Sequence, residues 1–266
     1  MAKVRLDVVL AERGLFSSRA RAAASIMAGE VRVGAAGRRA AKPGELVDEG
    51  ESLSVQEAPR FVSRGGIKLD NALEECGLVV EGRHALDVGA STGGFTDCLL
   101  QRGAREVTAV DVGYGTLDYR LRSDPRVHVL ERTNARNLTP GALPATPDLA
   151  TIDVSFISLR KVLGAVLGCL ADRRDVLALI KPQFEVGRDR VGKGGVVRDA
   201  GDRRAALLAV GRAAVALGAG VISYHSSGLP GPKGNRETFI WLSEADRSGA
   251  AREPAPLDRL AREVEP

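Results

Sequence analysis

The sequence predicts an α/β protein, a Rossmann-like doubly wound parallel sheet preceded by a small α+β module. Three observations predict it. First, apolar strand-like runs alternate with helical patterns from His84 to Leu242, the signature of βαβ units. Second, Asp153 closes the run 149–153, Lys181 closes 176–181, and Glu237 immediately precedes 238–242. Ligands of open α/β sheets bind outside the carboxyl ends of the strands. If the last strand runs antiparallel, all three residues face one crevice. Third, the opening residues have a separate charge texture. Nine basic residues lie between Lys3 and Lys42 against Asp7, Glu12 and Glu30, and five acids then follow from Glu45 to Glu57.

The chain has 266 residues, enough for two domains. A formal net charge of +4 and a pI near 9.1 are compatible with a nucleic-acid partner without requiring one. The three cysteines, Cys76, Cys98 and Cys169, are odd in number, far apart and without a CxxC pair. That argues against a disulfide framework or a zinc site, and no metal is expected. The first residues are too charged for a signal peptide. No apolar run approaches the roughly 20 residues of a membrane span. The expectation is a cytoplasmic protein, monomeric and without membrane contact.

In chain order, Leu6, Val9 and Leu10 have helical spacing up to Gly14. A second helix starts after Ser17 or Ser18, either of which can cap it, and runs to Gly29. Strands follow at 30–33 and 52–55, joined by a Gly- and Pro-rich loop. Arg19 and Arg21 sit near a helix start, where basic residues gain nothing from the helix dipole. Their placement suits phosphate contact. Leu6-Asp7, Leu10, Gly14, Ser17-Ser18-Arg19, Ala22, Ile26, Gly29 and Val31-Arg32-Val33 together resemble the S4 RNA-binding domain. The resemblance implies that residues 1–58 present arginines to folded RNA, with Arg5, Arg19, Arg21 and Arg32 as candidates. Structured RNA is read largely through shape and phosphates.

A linker is expected at 59–65, stiffened by Pro59. A helix at 67–76 follows, with Ile67, Ala72 and Leu73 as its apolar side. Strands are expected at 84–88, 106–110, 127–130, 149–153, 176–181, 221–226 and 238–242, and helices near 96–102, 159–170 and 202–217. The second domain is placed at 66–245. The tail, 246–266, is polar with a short helical pattern at Leu257, Leu260 and Val264.

Leu86-Asp87-Val88-Gly89-Ala90-Ser91-Thr92-Gly93-Gly94-Phe95 reads as strand, Gly-rich turn and helix. Its glycines allow close backbone approach to a ligand. The spacing is not the G-x-G-x-x-G of dinucleotide binding, and no Gly-Lys-Ser/Thr ending marks a P-loop. Asp111 ends the next strand, the usual place for a carboxylate that accepts ribose hydroxyls. Asn134 follows the third strand and is a candidate for an adenine edge, or for a turn. These features look like a pocket for S-adenosyl-L-methionine over Gly89, Ala90, Ser91, Thr92 and Gly93, with Asp111 at the ribose.

Further motifs narrow the match: Asp111-Val112-Gly113-Tyr114-Gly115, Glu131-Arg132-Thr133-Asn134-Ala135-Arg136, Asp153-Val154-Ser155-Phe156-Ile157-Ser158-Leu159, Lys181-Pro182-Gln183-Phe184-Glu185-Val186-Gly187 and Pro230-Gly231-Pro232-Lys233-Gly234-Asn235 before Glu237. The series resembles the TlyA family of bacterial rRNA 2'-O-methyltransferases, also described as haemolysin-like, from about Val4 to Leu242. The resemblance implies a Rossmann-like methyltransferase sheet and methyl transfer to the 2'-hydroxyl of a cytidine in ribosomal RNA. It also implies a Lys-Asp-Lys-Glu tetrad at Lys68, Asp153, Lys181 and Glu237. Phe61 stands in the linker where the family leads one to expect tryptophan. Terminal extensions in the family go with a broader substrate range, and the helical tail here points that way.

The chemistry is consistent. A ribose hydroxyl is a poor nucleophile until oriented and partly deprotonated, and lysine serves as a base only in its neutral form. Lys181 is expected to take the proton with Lys68 as a neighbouring cation, while Asp153 and Glu237 orient the lysines and the hydroxyl. Phe156 and Phe184 are candidates for stacking on a flipped base, although core packing is the expectation for Phe156. The basic, Gly-rich loop 187–197 either closes over RNA or is a mobile surface loop. His84, His128 and His225 are read as packing or edge residues. Three other readings compete: a non-catalytic RNA-binding ribosome assembly factor, which the intact tetrad argues against; a membrane-active haemolysin, which no amphipathic or spanning segment supports; and a nicotinamide-dependent enzyme, which the glycine spacing disfavours.

Overall fold

The structure is a computed structural model that describes residues 3–55 and 59–265. The boundary drawn after residue 58 falls at residues outside those described. The chain forms two compact units, Met1–Arg60 and Phe61–Pro266.

The first unit runs β1 (Lys3–Arg5), α1 (Leu6–Glu12), α2 (Arg19–Ala28), β2 (Val31–Val33), β3 (Arg38–Arg39), β4 (Leu46–Asp48) and β5 (Leu53–Val55). Ser18 caps α2 by accepting the Arg21 N–H, and Gly29 ends it in the left-handed conformation. Leu6, Val9, Leu10, Ala22, Ile26, Val31, Val33 and Val47 form the core. The stretch read as one loop carries β3 and β4, which pair with β2 and β1 respectively. Strands of two or three residues have too little pattern to be read locally; their partners define them.

The second unit continues with α3 (Arg64–Cys76), β6 (His84–Val88), α4 (Gly94–Gln101), β7 (Glu106–Val110), α5 (Tyr119–Arg122), β8 (Val127–Leu130), β9 (Leu149–Ile152), α6 (Leu163–Leu167), β10 (Asp175–Ile180), α7 (Pro182–Glu185), α8 (Ala200–Ala216), β11 (Ala219–Ser226), β12 (Thr238–Glu244) and α9 (Pro254–Val264). One seven-stranded sheet has the order β11-β12-β10-β9-β6-β7-β8. The strands β6 to β10 are parallel to their neighbours, and β12 is antiparallel to β10, with Ile180 opposite Thr238. The antiparallel last strand on which the convergence of Asp153, Lys181 and Glu237 depended is therefore present.

Three expectations are corrected. The helix α3 starts at Arg64, not Ile67, because Ser63 caps it by accepting the Gly65 N–H. Gly66, readable as a breaker, is required inside it: a Cβ there would lie 2.4 Å from Cγ of the Phe61 ring. Ile67 is 41% exposed, and the buried face is formed by Lys68, Leu69, Asp70, Ala72 and Leu73. The expected helix at 159–170 is a 3-10 turn at Leu159–Lys161 followed by the shorter α6. Gly164 and Gly168 lower helix propensity there.

The C-terminal segment packs onto the sheet unit. Ala251 pairs with Val221, Leu257 and Ala261 of α9 are buried, and Arg203 donates twice to the Glu265 carboxylate at 2.7 and 2.8 Å. Cys98 and Cys169 are buried, and Cys76 is half-buried with its thiol on the Leu73 carbonyl. Among the described residues no helix is long and apolar enough to cross a membrane.

Candidate active site

The strand ends build the site. β9 and β10 stop one residue before Asp153 and Lys181, and β12 starts one residue after Glu237, at the same edge. Lys68 enters from α3. The Lys68 ammonium lies 2.5 Å from Glu237 Oε2, with the two side chains 9% and 1% exposed. The Lys181 ammonium lies 2.5 Å from Asp153 Oδ1 and 2.9 Å from Ser155 Oγ. All four tetrad residues line one cavity of about 670 Å³, together with Gly89, Ala90, Ser91, Thr92, Phe156 and Phe184. Each lysine is held by its own carboxylate. Buried charges persist when they are paired and hydrogen-bonded, and this pairing accounts for two lysines facing one cavity.

Bare backbone is needed at two positions beside these pairs. Gly89 has φ +87°, and a Cβ on it would lie 2.5 Å from the Asp153 carbonyl oxygen. A Cβ on Gly231 would lie 2.3 Å from Glu237 Oε1. Beneath the loop, fully buried Asp87 accepts the Thr96 hydroxyl at 2.7 Å and the Thr151 hydroxyl at 3.1 Å. Burial pushes its carboxyl up to about 7.

The cofactor candidates separate into two groups. Gly89, Ala90, Ser91 and Thr92 line the cavity. Gly93 packs instead against Leu117 and Leu121. Asp111 is half-buried and accepts the Ser91 N–H at 2.8 Å and the Gly113 N–H at 2.6 Å, so it fastens its own loop to the cavity-lining turn. Asn134 is exposed and caps a 3-10 turn by accepting the Arg136 N–H at 3.1 Å, the turn role offered as its alternative.

Phe156 is not a core residue. It is 92% exposed, has φ +64°, and its ring lies 5.4 Å from that of Phe184 at 47°. A phenylalanine in left-handed backbone costs about 1–3 kcal/mol and persists where surrounding structure holds it, commonly at functional sites.

Residues without a predicted role also shape the site. Ser155 gives Lys181 its second contact. Buried Asn235 accepts the Val197 N–H at 2.9 Å and donates to the Gly195 carbonyl at 2.8 Å. It thereby anchors the basic, Gly-rich loop 187–197, in which Gly192 and Val196 form a bridge. Both residues stood inside quoted motifs, but their spacing carries no sign of which side chain meets which.

In the first unit, Arg5 and Arg19 both contact Asp7, at 3.0 and 3.3 Å, while their own side chains stay more than half exposed. The Arg5 hydrogen bond holds Asp7 below the usual carboxylate range. Arg32 donates to the Gly29 carbonyl, and Arg21 is exposed on α2. Of the histidines, His128 and His84 lie against Glu106 and His225 against Glu75. Among the described residues, no group of three acidic, histidine or cysteine side chains is arranged to hold a metal.

Residues 61–244 match the FtsJ-like methyltransferase family, and residues 4–53 match the S4 domain. The 16S/23S rRNA (cytidine-2'-O)-methyltransferase TlyA of Mycobacterium tuberculosis is 50% identical over 253 residues, 94% of each chain. The chain belongs to the TlyA family of FtsJ-like methyltransferases. Within that family the 23S rRNA (cytidine-2'-O)-methyltransferase TlyA of Campylobacter jejuni is 35% identical over 68% of this chain and 70% of its own. A structure named as a hemolysin of Streptococcus thermophilus superposes with a TM-score of 0.73 at 42% identity, covering 99% of this chain and 96% of that one. The TlyA-family fold accordingly comprises a mostly parallel Rossmann-like methyltransferase sheet and an N-terminal S4 domain.

Proposed function

We propose that this protein is an S-adenosyl-L-methionine-dependent rRNA (cytidine-2'-O)-methyltransferase whose reacting centre is Lys68, Asp153, Lys181 and Glu237. The observation that carries the reading is the opening of two lysine–carboxylate pairs into one cavity beside a bare glycine turn.

The cavity fits the cofactor. Gly89 brings backbone to its wall where a side chain would collide with Asp153, and Asp111 fixes Ser91 of the same loop. Gly89, Ala90, Ser91 and Thr92 would hold the methionine end and Asp111 the ribose; Gly93 and Asn134 would shape the neighbouring turns. Bound S-adenosyl-L-methionine supplies an electrophilic methyl on a sulfonium.

The chain's own residues do the rest. Once it has released its own proton to solvent, Lys181 accepts the 2'-hydroxyl proton at Nζ. Asp153 and Ser155 set the direction of that nitrogen, and their oxygens stabilise the ammonium that results. Lys68 and Glu237, locked together, present an oriented donor and acceptor to the hydroxyl. Fixed geometry of this kind replaces the entropy loss of an encounter in solution. Phe156 and Phe184 offer the flipped base a stacking wall. Arg5, Arg19, Arg21 and Arg32 of the S4 domain bind rRNA phosphates. A monomer working on ribosomal subunits in the cytoplasm completes the reading.

The test is methyl transfer from radiolabelled S-adenosyl-L-methionine into separated small and large subunits, with Lys181→Ala alongside. Label in one or both rRNAs, lost in the variant, is expected and identifies the target subunit. No label from wild type that still binds cofactor would replace the proposal with a non-catalytic RNA-binding role.

A further inference from the structure

Glu185 is a buried carboxylate that the methyl-transfer chemistry leaves unused. It ends α7, the short helix that starts directly after Lys181 and carries Phe184. Its side chain is 1% exposed. Three consecutive residues donate to it: the Ser158 hydroxyl at 2.6 Å, the Leu159 N–H at 2.7 Å and Arg160 Nε at 3.3 Å. The Arg160 guanidinium also donates to the Glu185 carbonyl at 3.2 Å.

Those donors begin two residues after Phe156. Residues 153–155 have no regular backbone structure, and Phe156 itself is left-handed and almost fully exposed. Burial cannot hold its ring in place. What does fix the loop is its downstream end, where three donors converge on one acceptor-only group. Phe184 is the residue next to that acceptor. One carboxylate thus ties the segment bearing Phe156 to the helix bearing Phe184, and the two rings lie 5.4 Å apart.

We propose that Glu185 is a positioning residue for the substrate base: it locks the Phe156 loop onto α7 so that the two rings stand ready as a stacking wall before RNA arrives. The proposal rests on the reading that the target base stacks there. Its chemistry requires a carboxylate. Glutamine keeps the volume but loses the negative charge facing Arg160, and its N–H group meets an acceptor only if the Ser158 hydroxyl reverses its role, which weakens the tie. Burial also pushes the Glu185 carboxyl up, and the Ser158, Leu159 and Arg160 donors oppose that rise by favouring the charged form.

The experiment uses the full chain labelled with 4-fluorophenylalanine, whose six phenylalanines give six fluorine signals. Phe156→Leu assigns the Phe156 signal. Wild type, Glu185→Gln and Phe156→Leu are then compared in fluorine spectra, thermal melting, cofactor Kd, and KM and kcat for rRNA methylation. In Glu185→Gln the Phe156 signal is expected to move towards that of a free ring. The rRNA KM should rise by about fivefold to tenfold, within the range of losing one base–aromatic stack, with cofactor Kd unchanged. Should Glu185→Gln fail to fold, Ser158→Ala removes one donor and should move both readouts the same way to a smaller extent. An unchanged Phe156 signal in a folded variant overturns the positioning role, whatever happens to KM. An unchanged KM in Phe156→Leu overturns the stacking reading itself, and the proposal with it.

Discussion

The Lys68 ammonium and the Glu237 carboxylate lie 2.5 Å apart although 169 residues separate them in the chain, and both are almost completely out of water. A helix from one end of the domain and the head of the last strand meet there. Removing one partner leaves a buried charge alone, which typically costs about 3–5 kcal/mol. Lys68→Met and Glu237→Leu should each lose stability on that scale in urea unfolding. The double variant should recover much of it yet remain inactive in methyl transfer. A double variant as unstable as either single one would show that the pair does not act as a unit.

Lys181→Ala should lower kcat by about 10²–10⁴-fold, the span of a lost general base. Cofactor affinity, read by calorimetry, should stay within about twofold, since no cofactor contact is removed. Ser155→Ala leaves the base but loosens it, so a smaller loss and a displaced pH–rate profile are expected. Equal kcat values for wild type and Lys181→Ala would rule out the proton-accepting role.

Phe156→Gly removes an exposed ring and supplies a residue at ease with φ +64°. Stability should hold or rise by up to about 1 kcal/mol as strain is released. Methylation of rRNA should fall through KM. A large drop in melting temperature would mean that the ring supports the fold after all.

Asp87 gives a pH signature. Its folded carboxyl titrates near 7, above the ordinary value of 3.8. A raised folded value means that its stabilising contribution is complete below pH 3.8 and is lost as pH rises through 7. The loss is on the order of a few kcal/mol, because each tenfold change in proton affinity between the folded and unfolded chain is worth about 1.4 kcal/mol. The difference in unfolding free energy between wild type and Asp87→Asn should therefore decline from about pH 4 to about pH 7.5. A pH-independent difference would place Asp87 outside this titration.

The sequence determined the alternation of strands and helices, the glycine turn after β6, and the placing of Asp153, Lys181 and Glu237 at strand ends. Those signals are local, since side-chain periodicity and turn chemistry act over a few residues. It also carried the tetrad, through resemblance across long motifs. Tertiary structure decided what distance along the chain conceals: that Lys68 belongs to Glu237 and Lys181 to Asp153, that Asp111 fastens the Ser91 turn to its own loop, and that Gly66 lies inside a helix because the Phe61 ring fills its Cβ space. It placed Phe156 in water where apolar character argued for the core. Hydrophobicity gives a side chain a reason to be buried, but its fate depends on which neighbours reach it. Here the residues just beyond the ring, from Ser158 to Arg160, are bonded to buried Glu185, a contact that local sequence does not signal.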